Sequence, residues 1–165
     1  MTDAGADAKG LEGGCTCGAV RYRMLDAPMF VHCCHCSWCQ RSSGSAFAVN
    51  ALIEADRVIL LQGRPEMVST PTPSGAGQKT ARCPQCRVAL WSHYGRVGDA
   101  ISFLRVGSLD RPALVPPDLH IHTDSRQPWT VIPPDARSVP VYYDLAEYWP
   151  AESLARRAHV RGEAP

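Results

Sequence analysis

The sequence predicts an all-β domain with little helix, organised around metal sites. Three observations lead there. Apolar residues alternate with polar ones or form short β-branched runs along most of the first 110 residues, prolines punctuate the region after 111, and eight cysteines fall in short, closely spaced groups. At 165 residues with 45% hydrophobic content the chain is long enough to bury one core, and no internal repeat or domain boundary divides it.

In chain order, residues 1–12 are small and polar and read as a flexible N-terminal tail, residues 13–150 as a single zinc-binding domain, and residues 151–165 as a second tail or a short helix. The domain opens on Gly13-Gly14-Cys15-Thr16-Cys17-Gly18, where glycines flank a C-x-C and let the backbone bend closely around an ion. Val20, Tyr22 and Met24 then alternate with Arg21 and Arg23, the period of a strand with one buried face. After a turn at Asp26-Ala27-Pro28, Met29-Phe30-Val31 is a short strand leading into His32-Cys33-Cys34-His35-Cys36-Ser37-Trp38-Cys39-Gln40.

Arg41 to Gly44 reads as a loop, and strands follow at Ala46–Ile53, Arg57–Leu61 and Glu66–Thr70. Lys79 to Arg82 leads into Cys83-Pro84-Gln85-Cys86, which precedes strands around Val88–Trp91 and Ile101–Val106. Prolines 112, 116, 117, 128, 133, 134 and 140 exclude long helices across 112–140, where His120-Ile121-His122 is the one plausible strand, with both histidines on one face. Val141 to Trp149, rich in aromatic residues, covers a core edge.

Charge excludes some function classes. The formal sum is +1, and seven thiolates on two zinc ions bring it to about −2, which leaves no electrostatic footprint for nucleic acid. No apolar run reaches membrane-spanning length, and the first 14 residues lack the basic start and apolar stretch of a secretion signal. A cytoplasmic protein is expected, and in a reducing compartment clustered cysteines mark metal sites sooner than disulfides.

A zinc that organises a fold takes four ligands from two short pairs brought together across the chain. Cys15 with Cys17 and Cys83 with Cys86 are the available pairs. The competing reading of Cys83-Pro-Gln-Cys86, a thioredoxin-like redox motif, requires a helix after its first cysteine, whereas Val88-Ala-Leu-Trp looks extended. Cys34, Cys36 and Cys39 remain as a C-x-C-x-x-C set of three, with Cys33, His32 or His35 able to close the site. Adjacent to Cys34, Cys33 is expected to point the other way and pack as a small hydrophobe. His120 and His122 read either as ordinary strand residues or as groups near a substrate.

Taken together, Gly14-Cys-Thr-Cys-Gly-Ala-Val-Arg-Tyr, Cys34-His-Cys-Ser-Trp-Cys-Gln, Gly44-Ser-Ala-Phe, Cys83-Pro-Gln-Cys86, Gly107-Ser-Leu-Asp and His120-Ile-His-Thr-Asp-Ser resemble the glutathione-dependent formaldehyde-activating enzyme family, which also contains centromere protein V. The resemblance runs from about Gly13 to Trp129. It implies a β-tent of antiparallel sheets, a structural zinc on Cys15, Cys17, Cys83 and Cys86, and a catalytic zinc on Cys34, Cys36 and Cys39. Two departures stand out: Gln40 replaces the arginine or lysine usual after the third clustered cysteine, and Arg87 replaces the glycine usual after the second C-x-x-C.

Three thiolates give a zinc centre of net charge −1 that suits a sulfur ligand, and a thiol entering a fourth position there is deprotonated. The expected function is therefore carbon–sulfur bond formation or cleavage, a lyase in which a small thiol such as glutathione adds to, or leaves, an aldehyde such as formaldehyde. Arg41, next to the ligands, is the expected substrate contact, and Ser37 and Trp38 are expected at the pocket mouth. The alternative is a non-catalytic, zinc-structured binding module with a closed second site. Oxidation sensing by the cysteine cluster is a third reading.

Overall fold

The computed structural model describes residues 10–163. Most of the expected N-terminal tail lies outside those residues, but Leu11 is buried and Glu12 already belongs to a strand. Among the described residues, ten strands form two sheets. The first, of three strands, contains β1 (Glu12–Gly14), β2 (Arg21–Met24) and β5 (Val58–Gln62), in the order β1-β2-β5. The second contains β3 (Phe30–Cys34), β4 (Ala48–Glu54), β6 (Glu66–Thr70), β7 (Gln78–Arg82), β8 (Ala89–Tyr94), β9 (Ile101–Arg105) and β10 (Leu119–Ile121). Its order is β10-β3-β4-β9-β8-β7-β6. Both sheets are open, and among the described residues helix is confined to α1 (Ser37–Ser43), α2 (Leu145–Tyr148), α3 (Ala151–Arg161) and short 3-10 turns. None of these helices is long and apolar enough to cross a membrane.

The period-2 pattern of β2 is realised as read: Val20, Tyr22 and Met24 are buried, whereas Arg21 and Arg23 face outward to Asp110 and Glu12. Tyr22 packs edge-on against Trp91 and shares a 2.7 Å hydrogen bond with Ser108, so burial of its ring leaves no polar atom stranded. Gly13 and Gly14 are required by close approach, because a Cβ would stand 2.5 Å from the Ser108 carbonyl oxygen at the first and 2.4 Å from that of Val20 at the second.

The antiparallel expectation fails at one edge. β10 runs parallel to β3, with Leu119, His120 and Ile121 in register with His32, Cys33 and Cys34. A parallel partner needs a long crossover, and the intervening chain, which includes five strands of the same sheet, supplies it. All five residues of β3 are buried, since the strand is covered on both faces. One apolar cluster surrounds Tyr22, Leu90, Trp91 and Leu104, and a second gathers Phe30, Leu52, Phe103, Leu119 and Trp149 around Cys34 and Cys39.

The C-terminal segment closes over that second cluster. Trp149 stacks on Phe30 at 5.2 Å and donates to the Tyr143 hydroxyl at 2.7 Å, which also meets His32 Nε2 at 2.5 Å. From α3, Arg156 makes two hydrogen bonds, of 2.8 and 2.6 Å, to Glu54 at the end of β4. Burial alone would raise the Glu54 pKa, but Arg156, together with a backbone N–H and the charge of Arg57, outweighs this and holds the group below its ordinary value of 4.5. A depressed carboxylate stabilises the fold fully above its unfolded pKa and loses that contribution as pH falls through the folded value. Glu54→Gln is expected to cost about 2 kcal/mol at neutral pH by leaving Arg156 unpaired. Urea melts of wild type and variant, compared at pH 7 and at progressively lower pH from 4.5, check this: the two should converge in acid.

Candidate metal centres and active site

Two tight turns from different sheets build the first centre. Between β1 and β2 the chain folds on itself through Cys15 N–H to Val20 O and Gly18 N–H to Cys15 O, with Gly18 in the left-handed region at φ 76°. Between β7 and β8 the Cys83 N–H bonds Val88 O, and the Arg87 N–H bonds Cys83 O, both at 3.0 Å. Arg87 has φ 63°, so the position resembling a family glycine carries that backbone here with an arginine, whose guanidinium reaches Glu66. Cys15 and Cys17 stand 3.5 Å apart at sulfur and Cys17 and Cys83 3.6 Å, and the four donor atoms, including Cys86, lie within 4.8 Å of one another. Four sulfurs about 2.3 Å from one ion would be about 3.8 Å apart, so this group fits a tetrahedral zinc and is too wide for disulfides.

The second centre lies where β3 ends. Cys34 is the last residue of β3, Cys36 caps the N-terminus of α1, and Cys39 is on its first turn. The Cys36 sulfur accepts the Cys39 N–H at 3.4 Å and lies 3.5 Å from the Cys34 sulfur, and all three sulfurs fall within 4.8 Å. Here the expectation of a loop at Arg41–Gly44 is corrected: residues 37–43 are helical, and Gly44, at φ 67°, ends the helix by returning its N–H to Gln40 O. Three soft donors converge, fitting zinc with one position left to another ligand.

The residues that sequence reasoning held ready to close this site are turned elsewhere. His32 points to Tyr143, and Cys33 and His35 group with His120. Burial drives the His32 pKa down to about 3 and that of His35 to about 4, so both rings are neutral near pH 7, and burial pushes the Cys33 thiol up to about 12. Cys33 does point away from Cys34, but into a polar contact: its sulfur is 3.6 Å from His35 Nε2.

Arg41 is exposed in the last turn of α1. Trp38 donates to Gln78, the first residue of β7, at 2.9 Å. Gln40 acts as a brace, donating to His35 O at 2.6 Å and Ser125 O at 2.9 Å and accepting from Gln127 at 2.7 Å. His122 does not share a face with His120: it follows β10 in the left-handed region at φ 56°, which swings it to Tyr142, 6.2 Å between rings, and into electrostatic reach of Cys36. Sequence reasoning missed Arg105 and Tyr94, whose side chains interact electrostatically with Cys39. They stand 66 and 55 residues beyond Cys39, respectively, and only the β4-β9-β8 pairing brings them there.

Beside α1 lies a cavity of about 510 Å³ lined by residues that flank both cysteine groups, though by none of the cysteines themselves. Thr16 and Arg87 line it from the first, and Ser42, Ser43 and Arg105 from the second. The Ser42 and Ser43 hydroxyls donate to Cys39 O, and Ala48 in the cavity wall pairs in register with Cys34.

Among known proteins, the family model described as glutathione-dependent formaldehyde-activating enzyme matches residues 10–125. A Halomonas elongata protein provisionally named for that same activity is 27% identical over 127 residues, 74% of this chain and 80% of its own. A crystal structure of a Rhodobacter sphaeroides protein aligns with a TM-score of 0.46 at 20% identity, covering 61% of this chain and 88% of that one. The family match spans more than half the chain and includes all eight cysteines, and the chain belongs to the glutathione-dependent formaldehyde-activating enzyme family.

Proposed function

We propose that the protein is a cytoplasmic, zinc-dependent carbon–sulfur lyase that joins a small thiol such as glutathione to formaldehyde or a similar aldehyde, and catalyses the reverse. Two zinc ions per chain serve it, a structural one on Cys15, Cys17, Cys83 and Cys86 and a catalytic one on Cys34, Cys36 and Cys39. One observation carries the reading. The three-cysteine group stands apart from every side chain considered able to close it, so a fourth position is left for substrate.

When bound, the catalytic zinc supplies a soft Lewis-acid position that deprotonates an entering thiol at neutral pH. Around it the protein performs the remaining work. Arg105, and the exposed Arg41 of α1, supply positive charge for an anionic thiol, and the cavity beside α1, with Arg82, Arg87, Ser42 and Ser43 on its walls, has room for a carboxylate-bearing tail. The sulfur lone pair forms the new bond to the aldehyde carbon, the carbonyl π electrons move to oxygen, and a proton equivalent to the one lost by the thiol ends on that oxygen. We assign the return of that proton to His122, an imidazole outside the cysteine set and within electrostatic range of Cys36.

Formaldehyde and thiols also combine unaided, so the test must measure exchange. Magnetisation transfer by NMR between formaldehyde hydrate and its glutathione adduct, at equilibrium, is expected to speed up in proportion to zinc-loaded protein, and His122→Gln to slow it about 100-fold with little change in glutathione affinity. Exchange at the uncatalysed rate would instead leave a zinc-structured binding module.

A further inference from the structure

We propose that Cys33, His35 and His120 form a third metal site, taking zinc or a similar first-row divalent cation on the face of β3 opposite the three-cysteine cluster. The basis is the alternation of an extended strand. Cys34 and Cys36 turn one way, so Cys33 and His35 must turn the other. β10 then lies parallel to β3 with His120 in register with Cys33, which sets a third donor on that same face. One strand thereby presents two donor sets back to back.

The distances fit an ion. Cys33 Sγ is 3.6 Å from His35 Nε2, His35 Nε2 is 3.0 Å from His120 Nδ1, and the three donor atoms lie within 4.8 Å of one another. With Zn–S near 2.3 Å and Zn–N near 2.0 Å, a tetrahedral centre has sulfur–nitrogen edges of about 3.6 Å and nitrogen–nitrogen edges of about 3.3 Å. Without an ion the same contacts are poorly served by hydrogen bonding. The single lone pair or single hydrogen of Nε2 faces two partners at once, with His35 fully buried. A cation between the three atoms engages all of them together.

Charge and access agree with this. One thiolate and two neutral imidazoles on a divalent cation give +1, against −1 for three thiolates on the other face, so each centre offsets the other's field across the strand. Cys33 and His35 are buried, whereas His120 is partly exposed and gives the ion a way in and a solvent molecule as fourth ligand. Two nitrogens and one sulfur with an open position form a donor set of the catalytic kind, and copper(II) would also take it.

The test is the metal content of the full chain, wild type against His120→Ala, after equilibration with excess Zn²⁺ and removal of loose ion. A loss of one equivalent in the variant, from three to two when every centre is filled, is the expected result. The difference is independent of the three-cysteine reading: if that site were empty, the change would run from two to one. Equal metal content in wild type and variant overturns the proposal. Should the variant not fold, Co²⁺ titration of wild type decides. A third equivalent carrying the charge-transfer intensity of a single thiolate supports the site, and saturation at two equivalents, both rich in sulfur, overturns it.

Discussion

Cys83→Ser is expected to abolish the folded state. Cys83 is fully buried, its sulfur lies 3.6 Å from that of Cys17, and its backbone N–H and C=O both close the second turn. Those two turns join β1 and β2 of the small sheet to β7 and β8 of the large one, so the ion would act as the clasp between sheets. Structural zinc contributes roughly 10–16 kcal/mol at pH 7, against whole-domain stabilities of roughly 5–15 kcal/mol, and a serine oxygen does not replace a thiolate on zinc. Far-UV circular dichroism at 25 °C should therefore show an unfolded chain, and a strong chelator should do the same to wild type. A cooperative melt within about 5 °C of wild type would show that packing holds the sheets together without the metal.

Cys36→Ser is expected to do the opposite: keep the fold and lose the chemistry. Cys36 is only partly buried and serves α1 as its N-cap, accepting the Cys39 N–H at 3.4 Å. Serine is a preferred cap residue, so the variant retains the local bond while removing one of three donors. One fewer metal ion per chain, a melting temperature lowered by a few degrees, and aldehyde–thiol exchange reduced at least 100-fold are the expected readings. Global unfolding of this variant would instead mark the second centre as structural and favour the binding-module reading.

How much of this was legible depended on the range of the interactions. The alternation through Val20, Tyr22 and Met24 is local, and it appears in the structure residue for residue. The paired cysteines are local as well, because a C-x-C between glycines and a C-x-x-C with proline leave little else for the backbone to do, and the structure brings their four sulfurs within 4.8 Å of one another. The seven-residue helix after Cys36 was not legible. Ser37-Trp-Cys-Gln-Arg-Ser-Ser has no apolar period, and its cap is a cysteine, so only Gly44 beyond its end signalled a helix stop.

Contacts far apart in sequence were hidden for a different reason. The placing of His120 beside His35 depends on a three-residue parallel pairing, and nothing in His120-Ile-His distinguishes parallel from antiparallel partners. The expected shared face of His120 and His122 failed because His122 leaves the strand through a left-handed turn. Arg105 reads as one more outward strand residue until β9 is laid beside β4, where its guanidinium meets Asn50.

The most direct test of the central claim substitutes Co²⁺ for zinc and follows the sulfur-to-cobalt charge-transfer band during titration with glutathione. A saturable growth or shift of the band, absent from Cys36→Ser, is expected if a thiol enters the fourth position of the three-cysteine centre. A spectrum unchanged at saturating glutathione, with the centre fully loaded, would contradict it: the site would then be closed, or open to something other than this thiol.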